Sequence, residues 1–131
     1  LDDLFEFVHP CAIEDGLKLA NNYWPGALTI VLPTIGNVSK NLNSNSNSLG
    51  FRVPALGLAR DLLMKTGPLA TTSANISGES PVKDALEASI EFPGIPILAP
   101  VPWPKSSGLA STVVEWQEGE WNLLRAGSVV L

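Results

Sequence analysis

The densest group of side chains that could do chemistry is the polar stretch Thr71–Gly78, which reads Thr-Thr-Ser-Ala-Asn-Ile-Ser-Gly. Most of its residues carry a hydroxyl or an amide. Backbone N–H groups and serine or threonine hydroxyls in a turn form a concave site that suits phosphate oxygens. The same residue types also form turns that only cap the next structural element. The stretch is therefore either an anion site or a structural turn.

Two arginines are the cations that best fit such a site. Arg52 stands just before Val53-Pro54, at the end of an apolar run, and Arg125 stands before Ala126-Gly127. A guanidinium pairs with phosphate oxygens or stacks on a base, and a glycine lets a ligand approach the backbone closely. Each arginine is equally typical of a surface ion pair, so both interpretations stay open at this point.

The sequence lacks the patterns of several common sites. One histidine, His9, and one cysteine, Cys11, are too few for a His/Cys zinc cluster. No G-x-S-x-G elbow, no G-x-x-x-x-G-K-[ST] loop and no G-x-G-x-x-G loop occurs in the sequence. His9 stands before Pro10 in a connecting segment, where we expect an exposed or capping residue rather than a catalyst.

Length and composition predict a single domain, residues 1–131, with its own core. The chain is 45% hydrophobic and 16% charged, which is too apolar for a disordered chain. Its net charge is −5 and its eight cations are scattered, which disfavours a nucleic-acid-binding surface. One cysteine excludes an internal disulfide, and no apolar run reaches the ~20 residues of a membrane span. These features predict a cytoplasmic protein with no membrane partner, although an organelle also fits.

The apolar pattern predicts alternating helices and strands. Helices are expected at 13–23, 55–66 and 82–90. Strands are expected at 27–32, 49–53, 69–72, 95–98, 111–116, 121–125 and 128–131, with a turn over 117–120. Residues 1–8 are either a short helix or a link, and the Asn/Ser-rich residues 37–48 are expected to form a mobile loop, as a surface insertion or a flap. The alternation predicts an α/β fold, a twisted mixed β-sheet with flanking helices and ligand-binding loops at its strand ends.

Five stretches, taken in order, carry a family resemblance. They are Trp24–Thr29, Ser48–Pro54, Gly67–Gly78, Ser111–Glu115 and Leu124–Gly127. Together they resemble the threonylcarbamoyl-AMP synthases, the YrdC-type family. The most specific part is Thr-Ser-Ala-Asn-x-Ser-Gly after Gly-Pro-Leu, with Phe-Arg-x-Pro upstream. The resemblance runs from about Tyr23 to Gly127 and implies a YrdC-like fold.

The resemblance implies a nucleotidyltransferase that condenses L-threonine, bicarbonate and ATP to threonylcarbamoyl-AMP and pyrophosphate. Its product would reach tRNA indirectly, through a downstream transferase complex that forms N6-threonylcarbamoyladenosine. The residues that would contact the nucleotide are Ser48, Ser73, Asn75 and Arg125. The residues that would lie near threonine and the phosphates are Arg52, Thr71 and Ser111. Mg²⁺ is expected to assist, and no acid–base pair is needed, because positioning and charge neutralisation supply most of the catalysis.

The chain departs from the family pattern at its start. Family members carry an upstream Thr-x-x-Val/Thr-Tyr-Gly-Leu segment and a Lys-x-Arg motif followed by Lys-Pro-Leu, and neither occurs here. The chain begins with Leu1 and its only methionine is Met64. We therefore expect an N-terminally incomplete domain with an open sheet edge. Two other functions stay open: a non-catalytic module that binds nucleotide or RNA, and a structural remnant without a ligand.

Overall fold

The computed structural model describes residues 2–42, 46–105 and 107–131. Its helices are α1 (Asp2–Phe5), α2 (Pro10–Tyr23), α3 (Val38–Leu42), α4 (Gly57–Thr66) and α5 (Ala85–Glu91). Its strands are β1 (Leu28–Pro33), β2 (Ser48–Phe51), β3 (Thr112–Gln117) and β4 (Glu120–Arg125). Among the helices of the described residues, none is long and apolar enough to cross a membrane.

The described chain contains two compact units. The first holds the residues up to Ala70 together with Ala110–Leu131, and it includes all four strands. The second is Thr71–Leu109, with α5 as its helix. The organisation of residues 1–131 as a single domain stays a prediction.

The first unit is built on a mixed sheet with strand order β2-β1-β3-β4. β1 pairs antiparallel with β2 and parallel with β3, and β3 pairs antiparallel with β4. The β3–β4 register shifts between Val113 and Val114. Glu118 and Gly119 join these strands with positive φ angles of 52° and 94°, as a two-residue hairpin turn requires. The predicted α/β fold with a mixed sheet is confirmed.

The core lies between one face of the sheet and α2. Leu28, Ile30 and Leu32 alternate along β1 and are fully buried, which is the period of a strand with one face covered. Helix α2 presents small residues to this face, and a Cβ on its Gly16 would lie 3.0 Å from the Leu32 side chain. Helix α2 therefore packs closely against β1 and covers this face of the sheet. The opposite face is not covered by α2.

The start of α2 follows standard capping chemistry. Pro10 stands in the first turn, where its missing N–H costs no intrahelical bond. The His9 side chain accepts a hydrogen bond from the Cys11 backbone N–H at 3.3 Å. The expectation that His9 is a capping residue is thus confirmed, and the helix begins three residues earlier than its apolar spacing indicates.

One side-chain hydrogen bond ties α2 to the sheet. Trp116 Nε1 in β3 donates to Asp15 Oδ2 in α2 at 3.0 Å, in a half-buried position. Because Asp15→Ala leaves the indole N–H without this acceptor, we expect it to lower the free energy of unfolding by about 1–2 kcal/mol. Urea denaturation measures the change. Glu14→Ala, which breaks only an exposed contact with Lys18, is the control and should cost under about 0.5 kcal/mol. Equal losses in the two variants would contradict the prediction.

Three predicted strands are absent from the described residues. Residues 69–72 and 95–98 have no ladder partners, and Pro96 has no N–H to donate to one. At 128–131, the buried Thr112 side chain takes the place of a strand partner. Its Oγ1 donates to Val129 O at 2.7 Å and accepts from Val129 N at 3.0 Å.

The Asn/Ser-rich segment is more structured than predicted. Residues 38–42 form α3, in which Ser39 is buried, and Ser48 already belongs to β2. The expectation of a loop over 37–48 is therefore wrong for these residues. Its part at 43–45 lies outside the described residues.

Candidate functional site

The sheet topology brings several polar residues to one end of the sheet. Parallel β1 and β3 begin at the same end, and β2 and β4, antiparallel to them, finish there. Arg52 follows the end of β2, Ser111 precedes β3, and Arg125 is the last residue of β4. Three of the predicted site residues, separated widely in sequence, thus lie at neighbouring strand ends.

Ser111 and Arg125 share a face of the sheet with Thr29 of β1. Leu28 and Ile30 point into the core, so Thr29 between them points to the opposite face. Thr112 is buried, which places the preceding Ser111 on that opposite face, and Arg125 pairs with Val113 there. We call Thr29, Ser111 and Arg125 the polar cluster.

Direct hydrogen bonds connect the polar cluster. Arg125 Nε and Nη2 donate to the Ser111 carbonyl oxygen at 3.1 and 2.9 Å. Arg125 Nη2 also donates to Ser111 Oγ at 3.0 Å, and Ser111 Oγ lies 2.9 Å from Thr29 Oγ1. These contacts hold the exposed guanidinium in one orientation. A fixed cation beside a hydroxyl is suited to bind a phosphate or carboxylate group.

Arg52 is held by the turn before β1. Its Nε donates to the Gly26 carbonyl oxygen at 2.9 Å, and Gly26 N donates to Val53 O at 2.9 Å. Gly26 itself must be glycine, because a Cβ there would overlap the Tyr23 carbonyl oxygen. Partial burial lowers the pKa of Arg52 from its ordinary value. A guanidinium titrates so far above neutral pH that Arg52 stays cationic.

Gly127 allows two segments of backbone to lie in contact beside the polar cluster. A Cβ at this position would overlap the Ala110 carbonyl oxygen and the backbone of Ser111 and Thr112. Ser128 N donates to Ala110 O at 3.2 Å, which keeps the two segments together. The glycine after Arg125 thus brings two stretches of backbone into contact, and one of them carries Ser111.

Ser48 lies apart from the polar cluster. It begins β2 and pairs with Pro33 at the far end of β1. Four residues along an extended strand put it roughly 13 Å from Arg52. Its backbone N–H donates to Ser46 Oγ at 3.0 Å, so a local turn holds it. Ser48 shares a face with Gly50 but does not contact the polar cluster.

The remaining predicted site residues, Thr71, Ser73 and Asn75, belong to the Thr71–Leu109 unit. Thr71 and Ser73 are exposed and precede a turn. Asn75 Nδ2 donates to the carbonyl oxygens of Ile76 and Glu79 at 2.9 and 3.1 Å, and so holds that turn closed. This stretch therefore contains a turn held by Asn75, whereas the next helix, α5, is capped by Asp84, which lies outside the stretch.

Asn75 also offers an unused acceptor. Its Oδ1 is buried and has no hydrogen-bond partner among the described residues. A buried carbonyl oxygen without a donor costs about 1–3 kcal/mol, which a ligand N–H or O–H would recover. Asn75 thus holds the turn through its amide nitrogen, while its amide oxygen is buried.

The polar cluster does not fit a resident magnesium ion. Mg²⁺ prefers carboxylate oxygens, whereas the cluster presents hydroxyls and a guanidinium. Among the described residues, no group of three or more His, Cys, Asp or Glu side chains is placed to hold a metal. The side chains of the polar cluster therefore do not provide the ligands that a resident Mg²⁺ ion requires.

The resemblance assigned no role to Thr29, although Trp24–Thr29 carries part of it. The available signal was a single polar residue inside the apolar run 27–32. Its partner Ser111 is 82 residues away, so only the sheet register brings the two hydroxyls together.

Comparison with known proteins places these features in a family. The family model Sua5/YciO/YrdC, described as telomere recombination, matches residues 1–127. The chain belongs to this family.

Two relatives of the chain are named threonylcarbamoyl-AMP synthase. The chain is 38% identical over 101 residues to threonylcarbamoyl-AMP synthase of Yersinia enterocolitica, covering 75% of this chain and 53% of the relative. It is 32% identical over 119 residues to threonylcarbamoyl-AMP synthase of Pyrococcus abyssi, covering 90% of this chain and 35% of the relative. The chain spans about half the length of the first curated relatives it matches.

A solved structure shares the fold. The crystal structure of P. abyssi Sua5 complexed with L-threonine superposes with a TM-score of 0.80 at 29% identity, over 97% of this chain and 37% of that one. The YrdC-like fold that the sequence predicts is thus confirmed.

Proposed function

We propose that this chain is part of an L-threonylcarbamoyladenylate synthase. The enzyme condenses L-threonine, bicarbonate and ATP to threonylcarbamoyl-AMP and pyrophosphate. Threonylcarbamoyl-AMP is then used to form N6-threonylcarbamoyladenosine in tRNA. The observation that carries the proposal is the hydrogen-bonded Ser111–Arg125 pair at the strand ends. The structural similarity of the chain to a protein crystallised with L-threonine also supports the proposal.

The reaction needs positioning more than proton transfer. The threonine amine combines with bicarbonate to give a carbamate and water, and a carbamate oxygen then attacks the α-phosphorus while pyrophosphate leaves. Both partners of the attack are anionic, so the enzyme must hold them together against repulsion. Fixed cations and hydroxyl donors do this without carrying a proton away. Magnesium, bound with ATP, would neutralise part of the phosphate charge.

The side chains of this chain divide that work. Arg125 and Arg52, each anchored to a backbone carbonyl oxygen, supply positive charge at one end of the sheet. Ser111 places a hydroxyl beside Arg125. As the family resemblance implies, we propose that this hydroxyl acts on the phosphates and the threonine. The family resemblance assigns further roles, which we propose on that ground alone: Thr71 would act on the threonine and the phosphates, and Ser73 and Asn75 on the nucleotide. Ser48 contacts the nucleotide from β2.

Product formation tests the proposal. The chain is incubated with Mg·ATP, L-threonine and bicarbonate, and threonylcarbamoyl-AMP is measured by mass spectrometry, with each substrate omitted in turn. We expect product only when all three are present. Ser73→Ala should reduce the rate at least about tenfold, since a hydrogen bond to a charged group is worth about 1.5–3 kcal/mol. Ser80→Ala, in the same unit but outside the predicted site, is the control.

The outcomes separate three functions. Product that depends on all three substrates supports the synthase. ATP binding without product supports the alternative of a non-catalytic module for nucleotide or RNA. Absence of both binding and product would contradict the proposal for this chain and favour a structural remnant.

A further inference from the structure

Thr29 occupies an unusual position in the polar cluster. It is the single hydroxyl residue of β1, and its side chain reaches across to Ser111, which immediately precedes β3. Its methyl group packs toward β2, where a Cβ on Gly50 would lie 3.1 Å from Thr29 Cγ2. A β-branched side chain in a strand has few χ1 options. The Thr29 hydroxyl is therefore directed at Ser111 by the packing of its own strand.

The hydrogen count at Ser111 limits what its hydroxyl can do. A serine hydroxyl has one donor and two acceptor positions, and arginine only donates. Arg125 Nη2 therefore donates to Ser111 Oγ and fills one acceptor position. The contact with Thr29 uses either the second acceptor position or the only proton of Ser111. Only when Thr29 is the donor does Ser111 keep its proton for an incoming ligand.

We propose that Thr29 is a positioning residue that donates to Ser111 and so turns the Ser111 hydroxyl into a donor for an anionic substrate oxygen. This role rests on the proposed function, because it requires that the cluster bind ATP or threonine. Phosphates and carboxylates accept hydrogen bonds and do not donate them. A bound anion thus selects the arrangement in which Thr29 donates, and one oxygen receives the Ser111 proton beside the Arg125 guanidinium.

The test removes and restores the Thr29 hydroxyl. Thr29→Val keeps the shape and loses the donor, whereas Thr29→Ser keeps the donor. Dissociation constants for ATP and for L-threonine are measured by calorimetry for both variants and the unsubstituted chain. We expect Thr29→Val to weaken at least one ligand by about 5- to 20-fold, a typical hydrogen-bond loss. Thr29→Ser should stay within about twofold of the original affinity.

A double-mutant cycle identifies the route of the effect. If Thr29 acts through Ser111, Thr29→Val adds no further loss of affinity in a Ser111→Ala background. A purely structural role would give the same loss in both backgrounds. Thr34→Val is the matched control, since it deletes a threonine hydroxyl bond to Asn47 O just beyond β1. It should leave both affinities unchanged.

The results distinguish this role from the function it rests on. If the unsubstituted chain binds neither ATP nor threonine, the proposed function fails and the Thr29 role fails with it. If the unsubstituted chain binds and Thr29→Val binds equally well, only the Thr29 role is wrong. Equal weakening by Thr29→Val and Thr29→Ser would also overturn it, because the serine retains the donor.

Discussion

An Arg125→Ala variant is expected to lose most of the ATP affinity of the chain. The guanidinium supplies positive charge beside Ser111, and its Nε and Nη2 fix the Ser111 carbonyl oxygen. Its removal takes away a charge-assisted contact with a phosphate and also releases Ser111. A contact of this kind is worth about 1.5–3 kcal/mol, or a loss of about 10- to 150-fold in affinity. Calorimetry with Mg·ATP measures it, and the rise in melting temperature with ATP should disappear in parallel.

Arg60→Ala provides the matched control for this loss. Arg60 also donates to backbone carbonyl oxygens, those of Pro54 and Ala55, but it sits in α4 and outside the polar cluster. The substitution changes the net charge by the same amount, so it corrects for long-range electrostatics. ATP affinity should change by less than about twofold, in line with the small energies of exposed charges. Equal losses for Arg60→Ala and Arg125→Ala would contradict a site at Arg125.

Gly127→Ala is expected to destabilise the fold strongly. The added Cβ would overlap three backbone positions, including the Ala110 carbonyl oxygen and Thr112 N. Thr112 N donates to Ala27 O and Ala110 O accepts from Ser128 N, so these backbone atoms cannot move aside as a flexible side chain can. We therefore expect a loss of about 3 kcal/mol or more in the free energy of unfolding, at the upper end of overpacking effects. Denaturation by urea, followed by tryptophan fluorescence, measures it.

Gly57→Ala separates this steric effect from a general cost of replacing glycine. A Cβ at Gly57, the first residue of α4, meets no atom within 4 Å. Alanine there should be neutral or stabilising by up to about 1 kcal/mol, since it reduces the freedom of the unfolded chain. A Gly127→Ala variant within about 1 kcal/mol of the original stability would show that the 110–112 backbone yields, contrary to the prediction.

The sequence predicted the elements whose signals are local. The apolar run 27–32, the alternation around the 117–120 turn and the spacing in α2 correspond to β1, the β3–β4 hairpin and α2. Strands that depend on distant partners were harder to predict. Residues 95–98 have strand composition but no neighbour in the ladder, and at 128–131 a buried threonine side chain replaces backbone pairing. The local sequence of a segment does not show whether a neighbouring strand is available to pair with it, or whether a distant side chain takes the place of that strand.

The candidate site divides in the same way. The family resemblance implied roles for Ser111 and Arg125, and the structure adds that they hydrogen-bond directly. Thr29 lay inside a quoted stretch without a role, because the bond to Ser111 exists only through the parallel pairing of β1 and β3. The role of a residue such as Thr29 can be predicted only once the strand that pairs with its own strand is known. The order of residues along the chain does not show which strands pair.

The register shift in the β3–β4 hairpin reverses which face of the sheet the last residues of β4 point to. Val114 stands opposite Leu123, yet Val113 stands opposite Arg125, so Leu124 is an extra residue in β4. In an unbroken ladder, Arg125 would stand opposite the buried Thr112 and its guanidinium would turn toward the core, because a slip of one residue reverses every side chain that follows. Arg125 lies on the Ser111 side of the sheet because β4 contains one extra residue, Leu124. Its orientation is therefore sensitive to a one-residue deletion that would leave the charge and hydropathy of the chain almost unchanged.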